Sequence, residues 1–125
     1  MIINIWGEKH DVTPRVELYS VQDYLGNERY GLAVLLEENM EPFCDLTVSF
    51  GEFISSKNCA YIDVNNCPFA EQFLQMGVAE DTGLTKRSGF CQYPLWRFSE
   101  EFLKENGLRN YNMYSEAYDC CMGNR

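Results

Sequence analysis

Histidine is almost absent from this 125-residue chain, which has only His10. Catalytic zinc usually draws on histidine ligands, and a cysteine–histidine nucleophile pair would have to recruit this one. Nothing in the sequence brings it to a thiol. The chain carries six cysteines, yet no two stand at C-x-x-C spacing, so the strongest sequence signal for a zinc site is missing. The longest aliphatic run is "LAVLL", far short of the roughly 20 residues that cross a bilayer. The opening "MIINIWGEKHDVTPR" shows no basic leader ahead of a long apolar stretch. The expected location is therefore the cytoplasm, where thiols stay reduced. Low-complexity tracts and repeats are lacking as well, which argues against a disordered chain or a solenoid.

Bases are scarce: 10 Lys and Arg stand against 19 Asp and Glu, for a net charge of −9. Residues 23–52 concentrate the imbalance, with Asp23, Glu28, Glu37, Glu38, Glu41, Asp45 and Glu52 against Arg29 alone, a net of −6. Such a surface repels nucleic acid and attracts basic partners. The plainer reading is that the charge keeps the protein soluble.

What the chain does contain is enough apolar material for one domain over residues 1–125: apolar residues make up 46% of it. Residues 2–6, 15–21 and 30–38 read as strands, with Gly26-Asn27 turning the chain before the third. In "CDLTVSF" (44–50) apolar and polar residues alternate with period two, as in a half-buried strand. Glu41-Pro42 reads as the turn joining it to the third strand in a hairpin. "CAYIDV" (59–64) is a fifth strand. Asn65-Asn66 then turns the chain, with Asp63 accepting hydrogen bonds from that turn. Pro68 suits a first helical position, and Gly77 a helix end.

Residues 79–89, "AEDTGLTKRSG", read as a flexible loop. Its Lys86 and Arg87 lie between glycines, but without the Gly-Lys-Ser/Thr order of a P-loop. "FCQYPLWRF" (90–98) is extended, and Pro94 suggests an edge or a strand end. Ser99 can cap a second helix that stops at Gly107. Residues 108–125 read as a loosely packed tail. Within it Tyr111, Tyr114 and Tyr118 recur at helical spacing, either docking on the protein's own sheet or forming a partner surface. The expected architecture is α+β: an antiparallel sheet of four or five strands with two short helices on one face.

Cys59, Cys67 and Cys91 are the candidate ligands of a structural zinc ion. Cys67 falls at the expected N-cap of the helix opened by Pro68, where a helix N-terminus favours a thiolate. Asp63 is a poor fourth ligand, because in a regular strand it stands roughly 13 Å from Cys59. His10, Cys44, Cys120, Cys121 or a water could complete the set. The alternative is that these cysteines are small buried hydrophobes. The adjacent acid pairs Glu37-Glu38, Glu80-Asp81 and Glu100-Glu101 point apart in regular structure and read as solvated charges.

"NCAYIDVNNCPFAEQF" together with "TGLTKRSGF", "YPLWRF" and the upstream "EPFCDLTVSF" resembles a family of small uncharacterised accessory proteins of Gram-positive phages and conjugative elements. The resemblance spans roughly residues 30–104. It implies an anti-defence role: some similar small acidic proteins are anti-CRISPR inhibitors of type II, RNA-guided nucleases (Cas9). The implied partner is a host RNA-guided nuclease or another basic nucleic-acid-binding protein, bound stoichiometrically, with no direct contact to nucleic acid or membrane and no catalysis. Glu37, Glu38 and Glu41, at the expected hairpin turn, are the candidate contact. The alternatives are a metal-dependent hydrolase or nuclease acting on guide RNA or DNA, and a structural partner of the mobile element's own proteins.

Overall fold

A computed structural model describes residues 1–122. The fold is α+β, and every ladder within its sheets is antiparallel. Strands β1 (Ile2–Ile5) and β2 (Glu8–Asp11) form a two-stranded ribbon. A three-stranded meander follows, made of β3 (Thr13–Gln22), β4 (Glu28–Glu38) and β5 (Glu41–Asp45). The third sheet has the order β6 (Thr47–Val48), β7 (Cys59–Ile62), β9 (Cys91–Phe98), β8 (Ala79–Ser88). The helices are α1 (Glu71–Gln75), α2 (Glu100–Glu105) and α3 (Leu108–Cys121).

Strand β4 is the spine. Its residues Leu32, Val34 and Leu36 are buried, and their cross-strand partners on β3 include Val16. On this face they join one contiguous core with Ile62, Trp96, Phe98, Phe102, Leu103 and Tyr111. The segment 44–50 does not run as one strand. It leaves β4 after Asp45 and restarts as β6 against β7, carrying the chain from one sheet to the next. The join is stitched by Leu46 N–H to the Val34 carbonyl (3.0 Å) and Val34 N–H to the Thr47 hydroxyl (3.0 Å).

Three expectations are corrected here. Residues 79–89 are no loop: β8 pairs with β9 from Ala79↔Phe98 to Ser88↔Cys91, with a register shift between Asp81 and Thr85. Most of β8 is exposed, so it lacks the apolar alternation that marks a half-buried strand. Pro94 therefore sits in an inner strand, beside the irregular stretch of β8, where Thr82 Oγ1 donates to the Leu95 carbonyl at 2.7 Å. A missing N–H is tolerated where the ladder is already interrupted.

The tail is the second correction. Residues 108–121 form the longest helix, and Tyr111, Tyr114 and Tyr118 are buried. Their stripe docks on the protein's own core, with α3 packed against β3 and β4. The last three residues of the expected tail, 123–125, lie outside the described residues. Third, α1 begins at Glu71 with Ala70 as N-cap, so Cys67 precedes it by a full turn and is not its cap. The capped helix at Ser99 forms as expected, with Ser99 Oγ accepting from Phe102 N–H at 3.1 Å. Asp63 likewise accepts from Asn66, through the backbone N–H at 3.3 Å and the side-chain amide at 2.9 Å.

Candidate functional site

The acidic run of residues 23–52 does not make one face. Strand β4 sends it to two ends roughly 33 Å apart: Asp23, Glu28 and Glu52 at one, Glu37, Glu38, Glu41 and Asp45 at the other. At the first end the charge is largely answered. Asp23 holds Arg29 at 2.8 Å, and Glu52 bonds Lys86, which also lies over the Phe50 ring at 5.3 Å. Lys86 is thereby committed within the fold rather than offered by a loop.

The second end is the hairpin between β4 and β5. Its turn is Asn39-Met40, not Glu41-Pro42, and both turn residues are left-handed, with φ of 56° and 66°. Two consecutive positive φ values match the tight hairpin turn that follows strand twist. Asn tolerates this conformation; Met does so at a cost of order 1 kcal/mol or more. Met40 is 93% exposed at the tip. Glu38 and Glu41 face each other directly across the ladder, an arrangement in which like charges destabilise a sheet.

Alternation along β4 sends Glu37 and Glu38 to opposite faces. Glu37 meets Arg15 at 3.3 Å, and that guanidinium also lies 3.7 Å from Glu17. Glu38 accepts from His10 at Nδ1, 2.9 Å away, while His10 Nε2 lies 3.8 Å from Glu8. The His10 ring tilts against Phe43 with centroids 5.5 Å apart. Phe43 is the extra residue of a bulge, since Leu36 pairs with Cys44 and Glu37 with Pro42. The lone histidine thus braces the hairpin through Glu38 and Phe43. Glu37, Glu38 and Glu41 do share one end of the sheet, but on two faces.

The three candidate zinc ligands are not brought together. Cys59 pairs with Arg97 on β9, and Cys91 lies six residues away along that strand, about 20 Å at ~3.3 Å per residue. Cys67 lies beyond the other end of β7, with its Sγ 3.3 Å from the Asp45 carbonyl oxygen. One ion cannot touch all three at a Zn–S distance of about 2.3 Å. Among the described residues no group of three or more His, Cys, Asp or Glu side chains could hold a metal ion. Cys67 also departs from the expected thiolate. Its hydrogen bond to Cys44, then burial and the charges of Cys44, Asp63 and Asp45, push its pKa up.

Met40 has no place among the residues singled out from the sequence, and Cys44 enters there only as one of several groups that could complete a zinc site. Met40 was recoverable: "EENME" places Asn39 at a position that accepts positive φ, between two extended runs. Cys44 as the neighbour of Cys67 was not, because the contact joins two sheets.

The arrangement defines a small α+β protein with a braced, acid-tipped hairpin at one end. No described helix is long and apolar enough to cross a membrane. The chain belongs to the family described as Domain of unknown function (DUF4313), whose model matches residues 18–118. Comparison with curated proteins and with solved structures found no match.

Proposed function

We propose that this protein is a stoichiometric binder that presents the β4–β5 hairpin end to a basic surface of a protein partner. The observation that carries the reading is the hairpin tip itself. Glu38 stands opposite Glu41, and the intervening Met40 is left-handed and exposed. Local costs of this kind, kept together at one exposed place, are characteristic of contact sites. Charge of one sign around an apolar anchor suits a basic groove, with the acids steering approach and the methionine filling a pocket.

In the setting that the sequence resemblance implies, the partner is an RNA-guided type II nuclease and the bound surface is one that otherwise holds nucleic acid. The acidity of the chain and the resemblance support that identity. The test is titration of the purified protein against a guide-loaded nuclease of this type, read as DNA cleavage and as co-elution. Inhibition should saturate near one molecule per nuclease and weaken as added salt screens the charges. Glu38→Gln with Glu41→Gln, and separately Met40→Ser, should each weaken binding roughly tenfold. Inhibition that persists with this protein at a large molar deficit would instead point to the hydrolase or nuclease reading. No binding would leave a partner among the mobile element's own proteins.

A further inference from the structure

Cys44 and Cys67 are 23 residues apart in the chain, yet their Sγ atoms lie 3.9 Å apart. They belong to different parts of the fold. Cys44 sits on β5, the last strand of the three-stranded sheet, opposite Leu36. Cys67 follows the Asp63 turn that leaves the four-stranded sheet, and its backbone N–H donates to the Asp63 carbonyl at 2.8 Å. A disulfide needs its sulfurs about 2.0 Å apart, so closure asks for a movement of about 2 Å, within reach of side-chain rotation.

Access to the two sulfurs is unequal. Cys67 is 1% exposed. Cys44 is partly exposed and lines a surface hollow of about 250 Å³ with Leu35, Glu37, Pro42 and Phe43. A small oxidant arriving from solvent therefore meets Cys44 first, with Cys67 behind it.

We propose that Cys44 and Cys67 form a peroxide-responsive dithiol, in which Cys44 is the sulfur that is oxidised and Cys67 the one that resolves it. In the first step the Cys44 thiolate attacks one oxygen of hydrogen peroxide. The O–O bond breaks, the leaving hydroxide takes up a proton to become water, and Cys44 becomes a sulfenic acid. In the second step the Cys67 sulfur attacks Cys44 sulfur. The S–O bond breaks, and the departing hydroxide takes the Cys67 proton and leaves as a second water. Two thiols are oxidised by two electrons to one disulfide, and one peroxide is reduced to two waters. The hydrogen bond from Cys67 supports this division of roles. It holds the Cys44 thiol below its ordinary value against the opposing effects of burial and of Asp45 and Asp63.

The bond would tie β5, next to the hairpin, to the segment leading into α1. It closes a loop that spans two sheets, so the oxidised protein should melt at a higher temperature than the reduced one.

The test uses the full chain with Cys120→Ser and Cys121→Ser, which removes the adjacent pair at the end of α3. Reduced protein is treated with hydrogen peroxide and its mass is read intact and after digestion without reductant. The expected result is a loss of two hydrogens, a peptide joining Cys44 to Cys67, reversal by dithiothreitol, and a rise in Tm that dithiothreitol abolishes. In a second variant, Cys67→Ser, a dimedone adduct should accumulate at Cys44. A link from Cys44 to any other cysteine, an unchanged mass, or an adduct that forms elsewhere in preference to Cys44 would overturn the proposal. If Cys67→Ser does not fold, the peptide map of the first variant decides the matter alone.

Discussion

The Tyr114 hydroxyl accepts a hydrogen bond from the backbone N–H of Asn58 at 2.9 Å. Tyr111, one turn earlier on α3, donates to the Asn58 side-chain oxygen at 3.0 Å. Asn58 is left-handed, with φ of 66°, immediately before β7 begins. Two tyrosines of the C-terminal helix thus hold the backbone that starts an inner strand. Tyr114→Phe should cost about 1–3 kcal/mol, because it leaves the Asn58 N–H without its partner. Tyr114→Ala should cost about 3–5 kcal/mol, since it also opens a cavity in the core. Urea unfolding of the two variants, compared at constant m-value, checks both. Equal stability of Tyr114→Phe and the parent protein would count against the bond.

The same tyrosines predict alkaline behaviour. Burial pushes the phenols of Tyr111 and Tyr114 above their ordinary value, and for Tyr114 the hydrogen bond from the Asn58 N–H opposes this only in part. A phenol whose folded pKa is raised favours the folded state in full below the unfolded value of about 10. That contribution is lost as pH rises through the folded value. Tyrosinate absorbance should therefore appear in two stages, with the later stage coinciding with loss of the far-ultraviolet circular dichroism signal.

Gly107, between α2 and α3, is pressed against β3. A Cβ placed there would lie 2.8 Å from Val16 Cβ and 3.0 Å from the Val16 carbonyl oxygen. That carbonyl accepts from the Asn110 side chain at 2.9 Å, while Val16 N–H donates to the Asn106 carbonyl at 2.9 Å. The backbone cannot retreat without breaking these bonds. Gly107→Ala should destabilise by about 1–3 kcal/mol, measured as a fall in Tm, and glycine is also the better residue at this position, the N-cap of α3.

Asp23 closes the β3–β4 turn. Its Oδ1 accepts from the N–H groups of Leu25 (2.9 Å) and Asn27 (2.8 Å). Burial acts to raise its pKa, but the bonds from Asn27 and Leu25 and the charge of Arg29 outweigh it and hold the carboxyl below its ordinary value. A depressed folded pKa gives stability that is full above the unfolded value of about 3.9 and is lost as pH falls through the folded one. Asp23→Ala should therefore lower Tm at neutral pH, and the gap from the parent should narrow as pH falls below the unfolded value of about 3.9. A gap that stays constant down to pH 2 would mean that the carboxylate charge is not involved.

The cysteines give a chemical readout of the fold. Burial raises the Cys59 thiol, with Arg97 opposing, and both Cys59 and Cys67 are shielded. Alkylation under native conditions should reach exposed Cys120 first, with Cys59 and Cys67 slower by roughly tenfold or more. Because Cys59, Cys67 and Cys91 are set apart, adding or chelating zinc should leave Tm and this order unchanged. Protection of those three by stoichiometric zinc would contradict the arrangement of β7 and β9.

Much of the local structure could be read from the chain because its signals are local. The apolar run of β4, the Ser99 cap, the Asp63 turn and the tyrosine stripe each depend on residues within a few positions of one another. Strand β8 was hidden because its side chains face water and its order comes from the β9 backbone. The break in "CDLTVSF" was hidden because the residues on its two sides pair with different strands. The hairpin's acids were visible in the sequence, but not their division between two faces or the exposure of Met40.

Residue order alone set the α+β class, the single core and the acidity, since composition and periodicity decide which surfaces can be buried. Only the tertiary structure decided which of the six thiols are neighbours. Chain separation says little about sulfur separation once strands are laid side by side: Cys59 and Cys67, eight positions apart, stand at opposite ends of β7, whereas Cys44 and Cys67 meet across two sheets.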